Sequence, residues 1–310
     1  MNLRPVHLLI PLIGIALGLL VPFEKPKLPV KKKRPGAEAA VAGVGGKWSD
    51  ARFLTERMEE ACAWVKEASR MDFLERPTAR VSTAEDIVPF LSADMGKAFG
   101  TLGAKDDEGV RSMARSLAAQ MVAAYDPKEN VVHVLPQNAV AAAEAAGDES
   151  LLDPNILRLV LVRMGVIAID RQILTDWKAA LDAATSIDAV HCAGAVLEGH
   201  AQHVTARIAK TWANRERGFD SDTFDRLVML LRAPPPADAT PAQKSLASEG
   251  GFALLKGHAF MKAIAKKRVP GIKGVISKPP TDRNHILKPA TYLATFVKKR
   301  VSALPGKILK

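Results

Sequence analysis

The sequence predicts an α+β protein that is mainly helical, with one small sheet and an apolar helix ahead of the folded part. Three observations carry that expectation. Residues Ile156 to Ile169 are apolar on nearly every face except at Arg158 and Arg163, as a central helix should be. From about Ser186 to Arg215, Val190, Gly194, Leu197, Ala201, Val204 and Ile208 recur at threes and fours, the spacing of one helix face. Strand signals are confined to short stretches within "TARVSTAEDIVPFL" and "ENVVHVLP". With 310 residues, 48% of them hydrophobic, the chain can build one good-sized core or two small ones.

Taken in order, the chain opens with "MNLRPVHLLIPLIGIALGLLVPFEKPK". From Val6 to Phe23 only His7 is strongly polar. Eighteen such residues in a helix rise about 27 Å, roughly the hydrocarbon thickness of a bilayer. Residues 1–23 therefore read as a transmembrane or signal-anchor segment, the alternative being a cleaved signal peptide. No small-residue cleavage site directly follows the apolar run, and "AVA" at 40–42 lies too far downstream. Residues 24–46 mix Pro, Lys, Gly and Ala and cannot bury a core, so they read as a linker.

The folded part, 47–310, starts near Trp48. "FLTERMEEACAWVKEASRM" is helical, with Phe53, Leu54, Met58, Ala61 and Val65 on one side. After the short strand, Ser82 or Thr83 caps a helix with Asp86 in its first turn. "ENVVHVLP" alternates and is β-branched between the turn "YDPK" and Pro136, which makes it the best strand. Asp153 and Pro154 supply a cap and a first helical position for the central helix. "RAPPPADATP" is a loop, "GGFALLKGHAFMKAIAKKR" a third helix, and "KPPTDRNHILKPATYL" a proline-bracketed segment before a final helix. Cys62 and Cys192 each sit on an apolar, helix-like stretch and read as buried free thiols, which leaves the redox compartment open.

Charge is distributed unevenly. Residues 1–34 carry seven Lys/Arg against one Glu, residues 256–310 fourteen against one Asp, and the stretch between them 23 against 31. Such basic ends favour an anionic surface such as lipid headgroups or cell-envelope polymer, the bland alternative being a solvated tail. Aromatic residues are scarce in the basic end and no nucleic-acid-binding motif appears, which argues against nucleic acid as a partner. The lysines after the apolar segment outnumber Arg4, a bias that would keep the following domain cytoplasmic.

The chemistry centres on "AVLEGHAQHV", which holds Glu198, His200 and His203. Glu198 and His200 diverge by about 200° on a helix and cannot grip one ion, whereas His200 and His203, three apart, can meet. Two histidines make a weak site, and a third ligand would have to come from a distant residue such as His191 or His258.

Five blocks in register, "AAYDPKENVVHVLPQN", "ILRLVLVRMGVIAIDRQ", "AVLEGHA", "GFALLKGHAF" and "PPTDRNHILKPATYL", resemble a family of zinc-dependent metallopeptidase-like proteins of the gluzincin group. The resemblance covers about Val81 to Leu293 and implies a zincin-like helical domain with a small sheet. In that family the central helix carries His-Glu-x-x-His-Ala-Leu-Gln-Asp-Gln, a later helix Glu-Gly-Asp-Ala, and the chain closes on a Pro-Pro-Thr … Leu-His-Pro … Tyr element. Laid on the motif, Arg163 takes the first histidine, Met164 the glutamate and Ile167 the second histidine, while Ala168, Ile169 and Gln172 keep the flanking pattern. Glu198 takes the third ligand, His200 the aspartate beside it, and Lys288 the histidine of Leu-His-Pro.

A catalytic zinc needs three protein ligands, an open position for water and a carboxylate base. Two ligands and the base are missing here, so neither a cofactor nor catalysis is expected. The resemblance implies instead a membrane-anchored pseudoenzyme with a binding or structural role and an unspecified protein partner. It also implies an extracytoplasmic or periplasmic domain, against the charge bias, and export is the reading adopted. Two alternatives are a metal-dependent hydrolase built around His200 and His203, and a basic lipid- or envelope-binding module using residues 256–310. If the fold is family-like, Arg163 should pair with Glu198, with Met164 and Ile167 filling the former metal cavity.

Overall fold

The computed structural model describes residues 46–101, 107–173, 186–216, 218–232, 248, 250–267 and 271–302. The apolar segment, its linker as far as residue 45 and "RAPPPADATP" after Arg232 lie outside the described residues. Among the described residues, no helix is long and apolar enough to cross a membrane. The protein is α+β and mainly helical, with a single three-stranded sheet among the described residues.

Helix α1 (Ala51–Ser69) starts at Asp50, whose carboxylate accepts the Phe53 N–H at 3.0 Å. It buries Leu54, Met58, Ala61, Cys62 and Val65, the face expected from spacing, while Phe53 is only partly buried. Strand β1 (Thr78–Val81) leads into α2 (Ala84–Thr101). At the start of α2 the Asp86 carboxylate reaches back and accepts both the Thr83 N–H and the Thr83 hydroxyl, at 2.7 and 2.8 Å. Helix α3 (Asp107–Ala118) then precedes a hairpin of β2 (Ala123–Asp126) and β3 (Val131–Val134).

Strand β3 is central, antiparallel to β2 with Ala123 opposite Val134, and parallel to β1 with Thr78 opposite Val131. In the hairpin turn Asp126 accepts the Lys128 N–H at 2.7 Å, and Asn130 takes the left-handed conformation (φ 55°) that asparagine tolerates. Helix α4 (Pro136–Ala146), with proline at its first position, and a 3₁₀ turn (Glu149–Leu152) complete this half.

Helix α5 (Pro154–Ile173) is the central helix the sequence announces, and Asp153 caps it by accepting the Asn155 N–H at 2.7 Å. Helix α6 (Ile187–Arg215) spans the expected stretch, and Ser186 caps it by accepting the Ala189 N–H at 3.2 Å. Beyond α7 (Thr223–Leu230), the predicted third helix begins as a π-turn (Phe252–Lys256) before settling into α8 (Gly257–Ala265). Helices α9 (Gly271–Ser277), α10 (Arg283–Leu287) and α11 (Pro289–Ser302) follow, with Asp282 capping α10.

Helix α6 links two apolar cores. The larger gathers α1, α5, the sheet and the second half of α6; the smaller packs Cys192, Ala195 and Val196 against Phe260, Met261, Ile264, Ile276 and Ile286. The backbones of α6 and α8 touch, because a Cβ on Gly199 would lie 2.2 Å from the Gly257 carbonyl oxygen and one on Gly257 2.0 Å from that of Ala195. Cys62 and Cys192 are both buried and unpaired, one in each core, and burial pushes both thiols up to about 12.

Candidate functional site

Helices α5 and α6 bring the motif positions together. Arg163, Ile167 and Asp170 are spaced i, i+4 and i+7, so they share one face of α5. Glu198 meets that face from α6, and the Arg163 Nη2 donates to its Oε2. Both side chains are buried, at 5% and 7% exposure, so the pair is removed from solvent screening. The contact runs through one guanidinium nitrogen rather than a two-pronged fork, and Arg163 Nε finds no partner among the described residues.

Met164 is buried and Ile167 half-buried, and both line a cavity of about 80 Å3 that also meets Arg163, Asp170, Glu198 and Tyr125. They therefore border the cavity and do not fill it, which corrects the expectation from the sequence. Zinc does not fit here: Met164 and Ile167 offer no imidazole or carboxylate, and a permanent cation already sits on the carboxylate that would be the third ligand.

His200 also reaches that face of α5, through Asp170, but does not line the cavity. Its Nδ1 lies 2.8 Å from Asp170 Oδ2, and both side chains are 2% exposed. Asp170 Oδ1 has no hydrogen-bond partner among the described residues. Sequence reasoning missed Asp170, although its place seven residues after Arg163 on an otherwise apolar helix was the available signal.

His203 does share a groove with His200, and its ring stands 6.3 Å from that of His258. Burial first, then the neighbouring His258, His200, Arg207 and Lys262, push His203 down to about 4. No third metal-binding group joins the two histidines among the described residues, and His191 is buried further back on α6. Lys288, at the family's histidine position, is exposed at the end of α10.

The residues that agree with the pattern of the resemblance make contacts that need no metal. The Gln172 amide nitrogen donates to Asn130 Oδ1 at 2.9 Å and to the Glu75 carbonyl at 2.7 Å, while its oxygen accepts the Leu74 N–H at 3.0 Å. Tyr125 donates to the same Asn130 oxygen at 2.9 Å, so the end of α5 is tied to the hairpin. Tyr292, in the closing element, donates to the Lys278 carbonyl at 2.7 Å.

One three-residue group of metal-ligand type exists among the described residues: Asp126, Glu129 and His133. The Arg80 guanidinium stands in it, 2.9 Å from Glu129 and 3.5 Å from His133 Nε2, while Ser82 Oγ occupies His133 Nδ1 at 2.9 Å. With both ring nitrogens engaged and a cation in place, the group clips β1 to the hairpin and is not a metal site.

No protein-family model matches the chain, and no curated protein does. Among solved structures it is similar to a protein from Chloroflexus aurantiacus provisionally described as a hydrolase with a novel fold. The TM-score is 0.48 at 11% identity, covering 93% of this chain and 97% of that one.

Proposed function

We propose that this chain is a catalytically silent, zincin-like relative of the gluzincin metallopeptidases that is anchored to a membrane by residues 1–23. It acts by binding or as a structural component on the extracytoplasmic side. The observation that supports the reading is the buried pair of Arg163 and Glu198, which puts a fixed cation where a catalytic metal would need to be. A guanidinium cannot be deprotonated to make room for zinc, so the substitution is incompatible with metal chemistry at that point. The alternative hydrolase around His200 and His203 lacks a third ligand among the described residues.

Zinc analysis of the purified full chain, together with a peptide-hydrolysis assay, tests the proposal. No stoichiometric zinc and no hydrolysis are expected. About one tightly held zinc per chain, lost on replacing His200 or His203, would establish the hydrolase instead.

A further inference from the structure

A groove of about 630 Å3 runs between the end of α1, the middle of α6, α8 and α9. Its charged lining is all of one sign. Arg70, Arg207, Lys262, Lys266 and Lys273 border it together with His200 and His203, and no Asp or Glu among the described residues does. These cations are exposed, and none of them pairs with a carboxylate among the described residues; Arg207 donates only to the Ala68 carbonyl, at 3.2 Å. The nearby Asp72 is already engaged by Lys66 at 2.5 Å.

Arg70 adds an independent sign. It ends α1 in the left-handed conformation, at φ 57° and ψ 36°, where glycine or asparagine is the usual choice. An arginine held in such a conformation at the rim of a cationic groove points to use of its charge. Burial chiefly, then His258, His200, Arg207 and Lys262, hold His203 down to about 4, so its ring adds no positive charge of its own near neutral pH.

We propose that this groove binds a small soluble phosphate-bearing anion, such as an organic phosphate or diphosphate. Two guanidiniums and three ammoniums line the groove, and such groups recognise phosphate, the former by paired N–H donors and the latter as point charges. Buried Met71 and Val204, with half-buried Ile272, give an apolar wall for the rest of the molecule. The volume is that of a site enclosing a small ligand, whereas a flat bilayer surface cannot enter a concavity. The proposal supplies a ligand for the binding role above, and the two fail separately: zinc in the protein would leave the groove untouched, and an unused groove would leave the Arg163–Glu198 pair untouched.

The experiment is a calorimetric titration of the full chain, held in a neutral detergent, with inorganic pyrophosphate at low salt. Saturable binding is expected that weakens as salt rises. Lys262→Gln combined with Lys266→Gln should weaken it about tenfold or more, because each exposed charge contributes on the order of a thermal unit or two. Lys128→Gln combined with Lys210→Gln removes the same charge outside the groove and should change binding less than about twofold. A second arm uses mixed micelles of the same detergent carrying phosphatidylglycerol. Micelle binding that the Lys262/Lys266 variant abolishes, without any binding of pyrophosphate, would overturn the soluble source and assign the groove to a headgroup. No binding of either probe, or equal loss in both variants, would overturn the proposal outright.

Discussion

Arg163 on α5 donates to Glu198 on α6 across the interface of the two helices, and neither side chain is more than 7% exposed. Bringing two charges out of water is unfavourable unless each answers the other, so loss of one partner should cost more than loss of both. Glu198→Ala strands the guanidinium and should destabilise by about 3 kcal/mol or more, while Arg163→Met with Glu198→Gln should be close to neutral. Chemical denaturation of the two singles and the double measures the coupling. Strict additivity would show that the pair carries no interaction energy.

The contact of α6 with α8 leaves no space for side chains. Since the intruding atoms at Gly199 and Gly257 are backbone carbonyls, no rotamer change can relieve the clash. Gly199→Ala or Gly257→Ala should therefore destabilise by about 3 kcal/mol or more, through forced separation of the helices. Gly96→Ala, in the exposed interior of α2 with nothing within 4 Å of the new methyl, should instead stabilise by about 0.5–1 kcal/mol. Equal effects at Gly199 and Gly96 would contradict the close approach.

Much of this was legible locally. Helices α5 and α6 announce themselves by Asp153–Pro154, Ser186 and apolar spacing, and β3 by its alternating β-branched residues. Strand β2 is not legible, because "AAYD" is buried at all four positions and shows no alternation. The π-turn before Gly257 is set by the meeting of α8 with α6, a tertiary demand that no local pattern encodes. The same holds for the site: Arg163 and Glu198 could be paired in advance only through the family resemblance, while the bond of His200 to Asp170 depends on how the helices cross.

Acid should weaken the fold through its histidines. Burial lowers His203 to about 4, His133 is lowered by burial and by Arg80, and His258 by burial and by Lys262. Below the ordinary value of 6.5 the unfolded chain takes up protons that the folded chain refuses, so stability present above pH 6.5 is lost as pH falls toward about 4. The melting temperature should drop across that window, and His203→Gln should flatten the drop. A variant as steep as the parent would remove His203 from the explanation.

The measurement that bears most directly on the proposed loss of a metal site is zinc uptake by a chain given the motif of the resembled family. Arg163→His, Met164→Glu and Ile167→His together place two imidazoles one turn apart on α5, facing Glu198, which then loses its cation. The restored chain, with its fold checked by circular dichroism, should take up about one zinc per molecule where the unaltered chain takes none. A folded variant that binds no zinc, or an unaltered chain that already holds one at Glu198, would contradict the assignment.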